Sequence, residues 1–385
     1  MSNFAIPLSV PCLDGNAERY LRECLDTNFV SSVGPFVQRF ETQFAEYVGA
    51  PHAVACANGT AALHVALKVA GIGPGDEVLV SDFTFVATVN PITYVGATPV
   101  LVDADLATWN IDAALVSEEL DRRARLGLKM PRAVLVAHIF GLPADLPAIQ
   151  ESCARHGVVL LEDAAEALGA GYKEGPLAQR QVGTVGLLGC FSFNGNKIIT
   201  TGGGGMITTA EERLAKRAKH LTTQARSSGT EYFHDEIGYN YRLTNLNAAL
   251  GVAQLEKLST FVAKKRAVAC RYNQAFAGIE GLTTPPRPSW AEPSMWLYSI
   301  LLDPKVTGID RKALQDRLAI AGIETRPVWV PAHRMPFYKD APCLGGAVGE
   351  RLFSQGLSLP CSTGITPEQS DRVIDAVLEC LSRSS

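Results

Sequence analysis

The sequence predicts an α/β protein, with a large domain built on a mainly parallel sheet and a smaller C-terminal α+β domain after it. Two observations carry that reading. Between residues 53 and 161 short apolar runs alternate with helical stretches, and the runs lack the in–out alternation of a half-exposed strand, as strands covered on both faces do. A Pro-rich passage, TTPPRPSWAEP, then separates this rhythm from a second set of elements.

Residues 1–50 open with a Pro-punctuated extended piece, followed by helices over 16–26 and 36–48 on either side of Ser31-Ser32-Val33-Gly34. The sheet rhythm runs as strand 53–57, helix 61–70, strand 78–80, helix 87–94, strand 98–102 and helix 113–124. It continues as strand 133–139, helix 146–156 and strand 158–161, with Gly157 where a helix would stop. Cys190-Phe191-Ser192-Phe193 alternates like a half-buried strand, 206–209 is a further strand, 210–221 is a helix rich in Lys and Arg, and 222–241 reads as irregular. One long helix over 245–272 connects the large domain, residues 1–255, to the small one, residues 256–385. In the small domain a strand at 295–302 is followed by helices at 311–321 and 367–382.

The totals exclude several classes of function. A chain of 385 residues with 47% hydrophobic and 19% charged content can bury a sizeable core without staples. A net charge of −4 with no basic block argues against nucleic acid or an anionic membrane as the main partner. The nine cysteines contain no C-x-x-C pair, so they read as reduced thiols in a cytoplasmic protein rather than as a disulfide framework or a metal site. No basic leader precedes an apolar core at the N-terminus, and no apolar run approaches the roughly 18 residues a membrane span needs.

Candidate chemistry gathers at strand ends, where ligands of open α/β sheets bind. Asn194-Gly195-Asn196 is turn chemistry that presents Lys197 beyond the 190–193 strand, and Gly202 to Gly205 lets the backbone bend closely around whatever the lysine holds. A desolvated lysine is an amine nucleophile suited to a Schiff base; a solvated lysine beside a flexible loop is the plainer alternative. After the first strand, Asn58-Gly59-Thr60 opens a helix whose N–H groups, with the Thr60 hydroxyl, suit a phosphate; a simple helix cap fits the same residues. Phe85, in SDFTFVAT, is placed either to cover a planar ring or to fill the core. Asp163 and Glu166, in EDAAEA, bring a carboxylate to the site or form a helix capping box. A phosphate cradle, a stacking ring, a carboxylate and a lysine together are what pyridoxal phosphate requires.

With these pieces assembled, the chain resembles the DegT/StrS family of pyridoxal-phosphate sugar aminotransferases over nearly its whole length. The matching segments are ANGTAAL, GPGDEVLVSDFTFVAT, GATPVLVD, EDAAEALG, FSFNGNK, TTGGGGM and GYNYRLTNLNAALGVAQLE, in the family's order and spacing. The resemblance implies a fold-type I enzyme in which Lys197 forms the Schiff base and Asp163 faces the pyridine nitrogen. It implies that Gly59, Thr60 and Ser192 bind the phosphate and that Phe85 stacks on the ring. Glu166 falls where many members have Gln or His near the cofactor's 3-hydroxyl. Asn240 matches an asparagine that reaches the phosphate of the neighbouring subunit, which implies a homodimer with shared active sites. L-Glutamate is the implied amino donor and a nucleotide-linked ketosugar the acceptor. The N-terminal segment and NGNKIITTGGGGM are most similar to enzymes that aminate C4 of UDP-2-acetamido-4-keto-6-deoxy sugars on routes to bacillosamine or legionaminic acid. GDP-perosamine synthases come second; they commonly carry Glu where this chain has Gly203. Arg226, His333 and Arg334 are candidate contacts to the nucleotide diphosphate, and each fits a solvated surface equally well.

Overall fold

The computed structural model describes residues 4–227 and 229–382. In chain order its first eight strands are β1 (His52–Cys56), β2 (Glu77–Ser81), β3 (Thr98–Val102), β4 (Ala133–Ala137), β5 (Val159–Asp163), β6 (Gly171–Tyr172), β7 (Leu188–Ser192) and β8 (Gly205–Thr209). The remaining strands are β9 (Leu282–Thr283), β10 (Ala291–Glu292), β11 (Tyr298–Leu302), β12 (Arg326–Pro327), β13 (Cys343–Leu344) and β14 (Gly356–Leu359). Helices α1 (Ala17–Asp26), α2 (Pro35–Val48), α3 (Gly59–Val69), α4 (Val86–Tyr94), α5 (Ala113–Arg125), α6 (Leu146–His156) and α7 (Glu212–Thr222) accompany the first strands. After them come α8 (Asn245–Leu255), α9 (Leu258–Ala275), α10 (Pro304–Thr307), α11 (Arg311–Ile320), α12 (Ala347–Gln355) and α13 (Pro367–Ser382).

The large sheet has eight strands in the order β1-β8-β7-β5-β4-β2-β3-β13. Within it β8 runs antiparallel to both of its neighbours, and the other pairings are parallel. Successive side chains enter different cores: in β2, Leu79 joins one apolar cluster while Val78 and Val80 join the other, and in β4, Val134 and Val136 separate from Ala133 and Leu135 in the same way. A strand buried on both faces has no polar side to alternate with, which explains the continuous apolar runs in the sequence. In β7, Phe191 meets Phe44 of α2 edge-on at 5.0 Å; just beyond the strand, Phe193 packs against Phe40 and Phe44 at 5.1 and 5.5 Å. Each such pair is worth about 0.5–1.5 kcal/mol beyond its area burial. Strands are added on one side of β2 with β3 and on the other with β4 and β5, so the carboxyl ends of the parallel pair β2 and β4 form a topological switch point.

A second sheet, β12-β14-β11-β9, is antiparallel and comes wholly from residues 282–359, while β13 from the same stretch returns to pair with β3. The single helix expected over 245–272 is two helices, broken at Glu256-Lys257. Both residues there keep right-handed helical geometry, and the Glu256 carboxylate meets Asn16 Nδ2 at 2.6 Å, Tyr20 Oη at 2.7 Å and Arg39 at 3.2 Å. All nine cysteines are free. Among the described residues no helix is long and apolar enough to cross a membrane.

Candidate active site

A cavity of about 280 Å³ opens at the carboxyl ends of β1, β2, β4, β5 and β7. Gly59, Thr60, Phe85, Asp163, Glu166, Ser192 and Lys197, all singled out from the sequence, line it. The start of α3 forms one wall. Asn58 is extended and its Oδ1 accepts the Ala61 N–H at 2.8 Å, capping the helix. The first N–H groups of a helix have no intrahelical acceptor and lie at the positive end of its dipole. A Cβ on residue 59 would lie 2.8 Å from Ser192 Cβ, so only glycine brings α3 this close to β7. With the hydroxyls of Thr60 and Ser192 beside it, this cradle fits a phosphate.

Asp163 is the last residue of β5, registered with Ala137 of β4 and Cys190 of β7. Its Oδ2 accepts from Thr88 Oγ1 at 2.7 Å and its Oδ1 from the Ala165 N–H at 3.0 Å. The capping-box alternative does not hold: residues 164–169 form turns rather than a helix, and Glu166 Oε2 accepts the Phe140 N–H at 2.8 Å instead of turning back. Burial pushes the Asp163 carboxyl up, against hydrogen bonds from Thr88 and Ala165 and the charge of Lys197. Such a carboxylate is better stabilised by a cationic ring nitrogen than by the protein alone. Burial pushes Glu166 up as well, here opposed first by the charge of Lys197.

Lys197 stands in the turn beyond β7, its N–H bonded to Asn194 O at 3.0 Å. Its side chain is 13% exposed, with Nζ 3.6 Å above the centroid of the Trp296 ring and 3.9 Å from Glu166 Oε1. Burial lowers the pKa of this amine, against the attraction of Glu166 and Asp163. A lysine held this way supplies a free amine at lower pH than a solvated one. Phe85, at the start of α4, is 47% exposed and therefore not a core phenylalanine; its ring lies 5.1 Å from that of Trp329.

Three further residues shape the site without a sequence signal strong enough to single them out. His138 lines the cavity one residue past β4; the strand expected over 133–139 had absorbed it. Its Nδ1 accepts the Ala144 N–H at 3.1 Å, so Nε2 carries the proton and donates to Glu162 at 3.1 Å. Glu162 is fully buried and also accepts the N–H groups of Gly183, Val185 and Gly186 at 2.7, 2.7 and 2.6 Å. Burial alone would raise its pKa, but His138 and these donors bring it below the usual carboxylate range. Trp296 approaches from almost a hundred residues away to underlie Lys197, beyond the reach of any local pattern.

A sequence profile of the DegT/DnrJ/EryC1/StrS aminotransferase family matches residues 11–378. The chain is 41% identical to the GDP-perosamine synthase of Caulobacter vibrioides, covering 98% of each protein. It is 40% identical to EpsN of Bacillus subtilis, a putative pyridoxal-phosphate-dependent aminotransferase, over 97% of this chain and 95% of that protein. The solved structure of the aminotransferase TlmJ from Streptoalloteichus hindustanus superposes with a TM-score of 0.88 at 31% identity, covering 98% of this chain and 99% of the other.

The chain belongs to the DegT/DnrJ/EryC1/StrS aminotransferase family. It is a pyridoxal-phosphate-dependent aminotransferase of fold-type I.

In this family member four of the expected site residues do not line the cavity. Asn240 is exposed and bridges to Thr223. Arg226 lies over the Tyr232 ring, 4.3 Å from its centroid. His333 has both ring nitrogens engaged, Nδ1 with the buried Asp82 at 2.7 Å and Nε2 with Glu350 at 3.1 Å; Arg334 reaches Glu350 at 3.5 Å. In His333, burial is the largest influence and works against a raised pKa, but the hydrogen bonds and charges of Asp82 and Glu350 together outweigh it.

Proposed function

We propose that this aminotransferase moves an amino group from L-glutamate to C4 of a nucleotide-linked 4-keto-6-deoxy sugar, in the synthesis of a bacterial surface glycan. The observation that carries the proposal is the convergence of a buried amine, a buried carboxylate and a helix N-terminus on one cavity, in a chain 41% identical to a GDP-perosamine synthase.

Bound pyridoxal phosphate supplies an electron sink and a carbon that carries the amino group between the two substrates. The α3 N-terminus, Gly59, Thr60 and Ser192 would hold its phosphate. Phe85 would cover its ring and Asp163 would favour the protonated ring nitrogen. The Lys197 amine would anchor the cofactor and, when free, serve as the base that moves a proton at the donor's Cα. Glu166 stands beside Lys197 and orients it. We assign the contact to the nucleotide diphosphate to Arg226 ahead of His333 and Arg334, whose charges are already matched by Asp82 and Glu350. Asn240 serves the phosphate of a second copy; its exposure beside Tyr232, Phe233 and Ile237, which are 82%, 62% and 86% exposed, supports that role.

Two readings of the acceptor are supported by different observations. Relatives 41% and 37% identical over nearly the whole chain are GDP-perosamine synthases, which favours a GDP-linked sugar. Gly203 favours UDP-2-acetamido-4-keto-2,6-dideoxyhexose: it lines the cavity with open space where a side chain would begin, at a position where perosamine synthases commonly carry Glu. Release of 2-oxoglutarate from glutamate across a panel of UDP-, GDP- and dTDP-linked 4-ketosugars decides between them. Turnover with one sugar nucleotide is expected. Uptake of the cofactor without turnover on any of them would make the protein a binding sensor instead.

A further inference from the structure

Lys265, on α9, is buried to 2% exposure, and its ammonium is met by main-chain carbonyls. Its Nζ donates to Trp296 O at 3.0 Å and Cys361 O at 2.8 Å. Burying an ammonium costs several kcal/mol, and a methionine would fill the same volume without that cost. What the charge adds is direction, because it draws two segments to one point: the lead-in to β11 and the loop after β14. Cys361 Sγ also lies 3.4 Å from Trp296 O.

Trp296 is held as firmly on its other side. Met295 before it has a φ of 55°, costly for a residue with a side chain, and the N–H groups of Ser294 and Leu297 bond to Gly141 O and Phe140 O at 2.9 and 3.3 Å. The indole Nε1 donates to Asn196 O at 2.7 Å, one residue before Lys197, and the ring lies under Lys197 Nζ. A connected path of contacts therefore runs from Lys265 through Trp296 to the amine. Glu166 and Asp163 are the charged groups that act on Lys197, and Cys361 is the titratable group beside Lys265.

We propose that Lys265 is a positioning residue for the transfer reaction, fixing Trp296 as the floor on which the Lys197 amine rests. The proposal relies on Lys197 being the reacting amine. Without the Lys265 ammonium the Trp296 main chain loses a donor, the indole shifts and water reaches Lys197. Burial is the largest influence on that amine, so its titration midpoint then rises toward the ordinary lysine value.

The test uses the full chain without cofactor, acylating it with acetic anhydride at a series of pH values and measuring the Lys197 peptide by mass spectrometry. Lys265→Met is expected to raise the Lys197 midpoint by about one pH unit, while Lys265→Arg, which retains the donors, keeps the wild-type midpoint. Trp296→Leu is expected to raise it as well, and adding Lys265→Met to Trp296→Leu should produce no further rise. An unmoved midpoint in folded Lys265→Met, or shifts that simply add in the double variant, would overturn the proposal. So would an unmoved midpoint in Trp296→Leu, a result that counts even if Lys265→Met does not fold. The labelling needs no cofactor, so its failure leaves the cofactor assignment standing; that assignment falls separately if the wild-type chain takes up no pyridoxal phosphate.

Discussion

Lys197 and Asp163 occupy positions that burial makes unfavourable for their charged forms, and the same burial makes them useful. Replacing Lys197 with Ala should remove the visible absorption of the anchored cofactor and lower turnover by roughly 10³-fold or more, since the general base is lost with the anchor. A wild-type spectrum in that variant would refute the assignment. For Asp163 the expectation is a split between stability and activity. Its folded-state pKa is raised, so the stability it contributes is full below the ordinary carboxylate range and is lost as pH rises through the folded value. Asp163→Asn removes that loss, so at neutral pH the cofactor-free variant should melt no lower than wild type while turnover falls sharply. A large drop in melting temperature with near-normal turnover would leave the carboxylate a structural role only. Lys197 was legible because its turn residues are adjacent in sequence. Asp163 was ambiguous because D-x-x-E describes both a strand end and a helix cap, and Trp296 was invisible because its contact to Lys197 is made only by the fold.

Elements with local causes were the readable ones. Gly157, with φ 66°, closes α6 where a helix stop is expected; Phe191 and Phe193 mark one packed face around β7, but Cys190 is buried in the other core, so the strand is not half-exposed as its alternation suggests. The break between α8 and α9 has no local signal, because Glu256-Lys257 brings neither Gly nor Pro, and the Glu256 partners Asn16, Tyr20 and Arg39 lie more than two hundred residues away. Glu162 illustrates the same limit at the end of β5: its sequence context shows one acidic residue beside another, whereas the fold gives it four donors from two segments. Glu162→Gln keeps one acceptor oxygen and leaves buried N–H groups between residues 183 and 186 poorly matched. We expect it to cost roughly 2–4 kcal/mol, read as a lower urea midpoint of the cofactor-free protein. A loss below about 1 kcal/mol would mean that the carboxylate does not organise this loop.

Across the whole molecule, the sequence announced a parallel sheet, but the order β5-β4-β2-β3 that puts the switch point beside Asp163 emerges only from pairing between distant strands. The return of β13 to that sheet had no local signal either: two residues, Cys343 and Leu344, are too few to carry a pattern. Asn240 raises the remaining question at this scale, because it is exposed and lies outside the cavity of its own chain. If it completes the site of a second copy, Lys197→Ala and Asn240→Ala chains should each be inactive alone yet complement each other. In a mixed dimer one site has lost both residues, while the other combines Lys197 of one chain with Asn240 of the other and is intact. Random reassortment makes about half of the dimers mixed, each with one working site of two, so denaturing and refolding an equal mixture should restore about a quarter of wild-type activity. Unmixed controls should remain inactive. If each site were built from one chain only, mixing would restore nothing, because no exchange could return the missing group to either cavity.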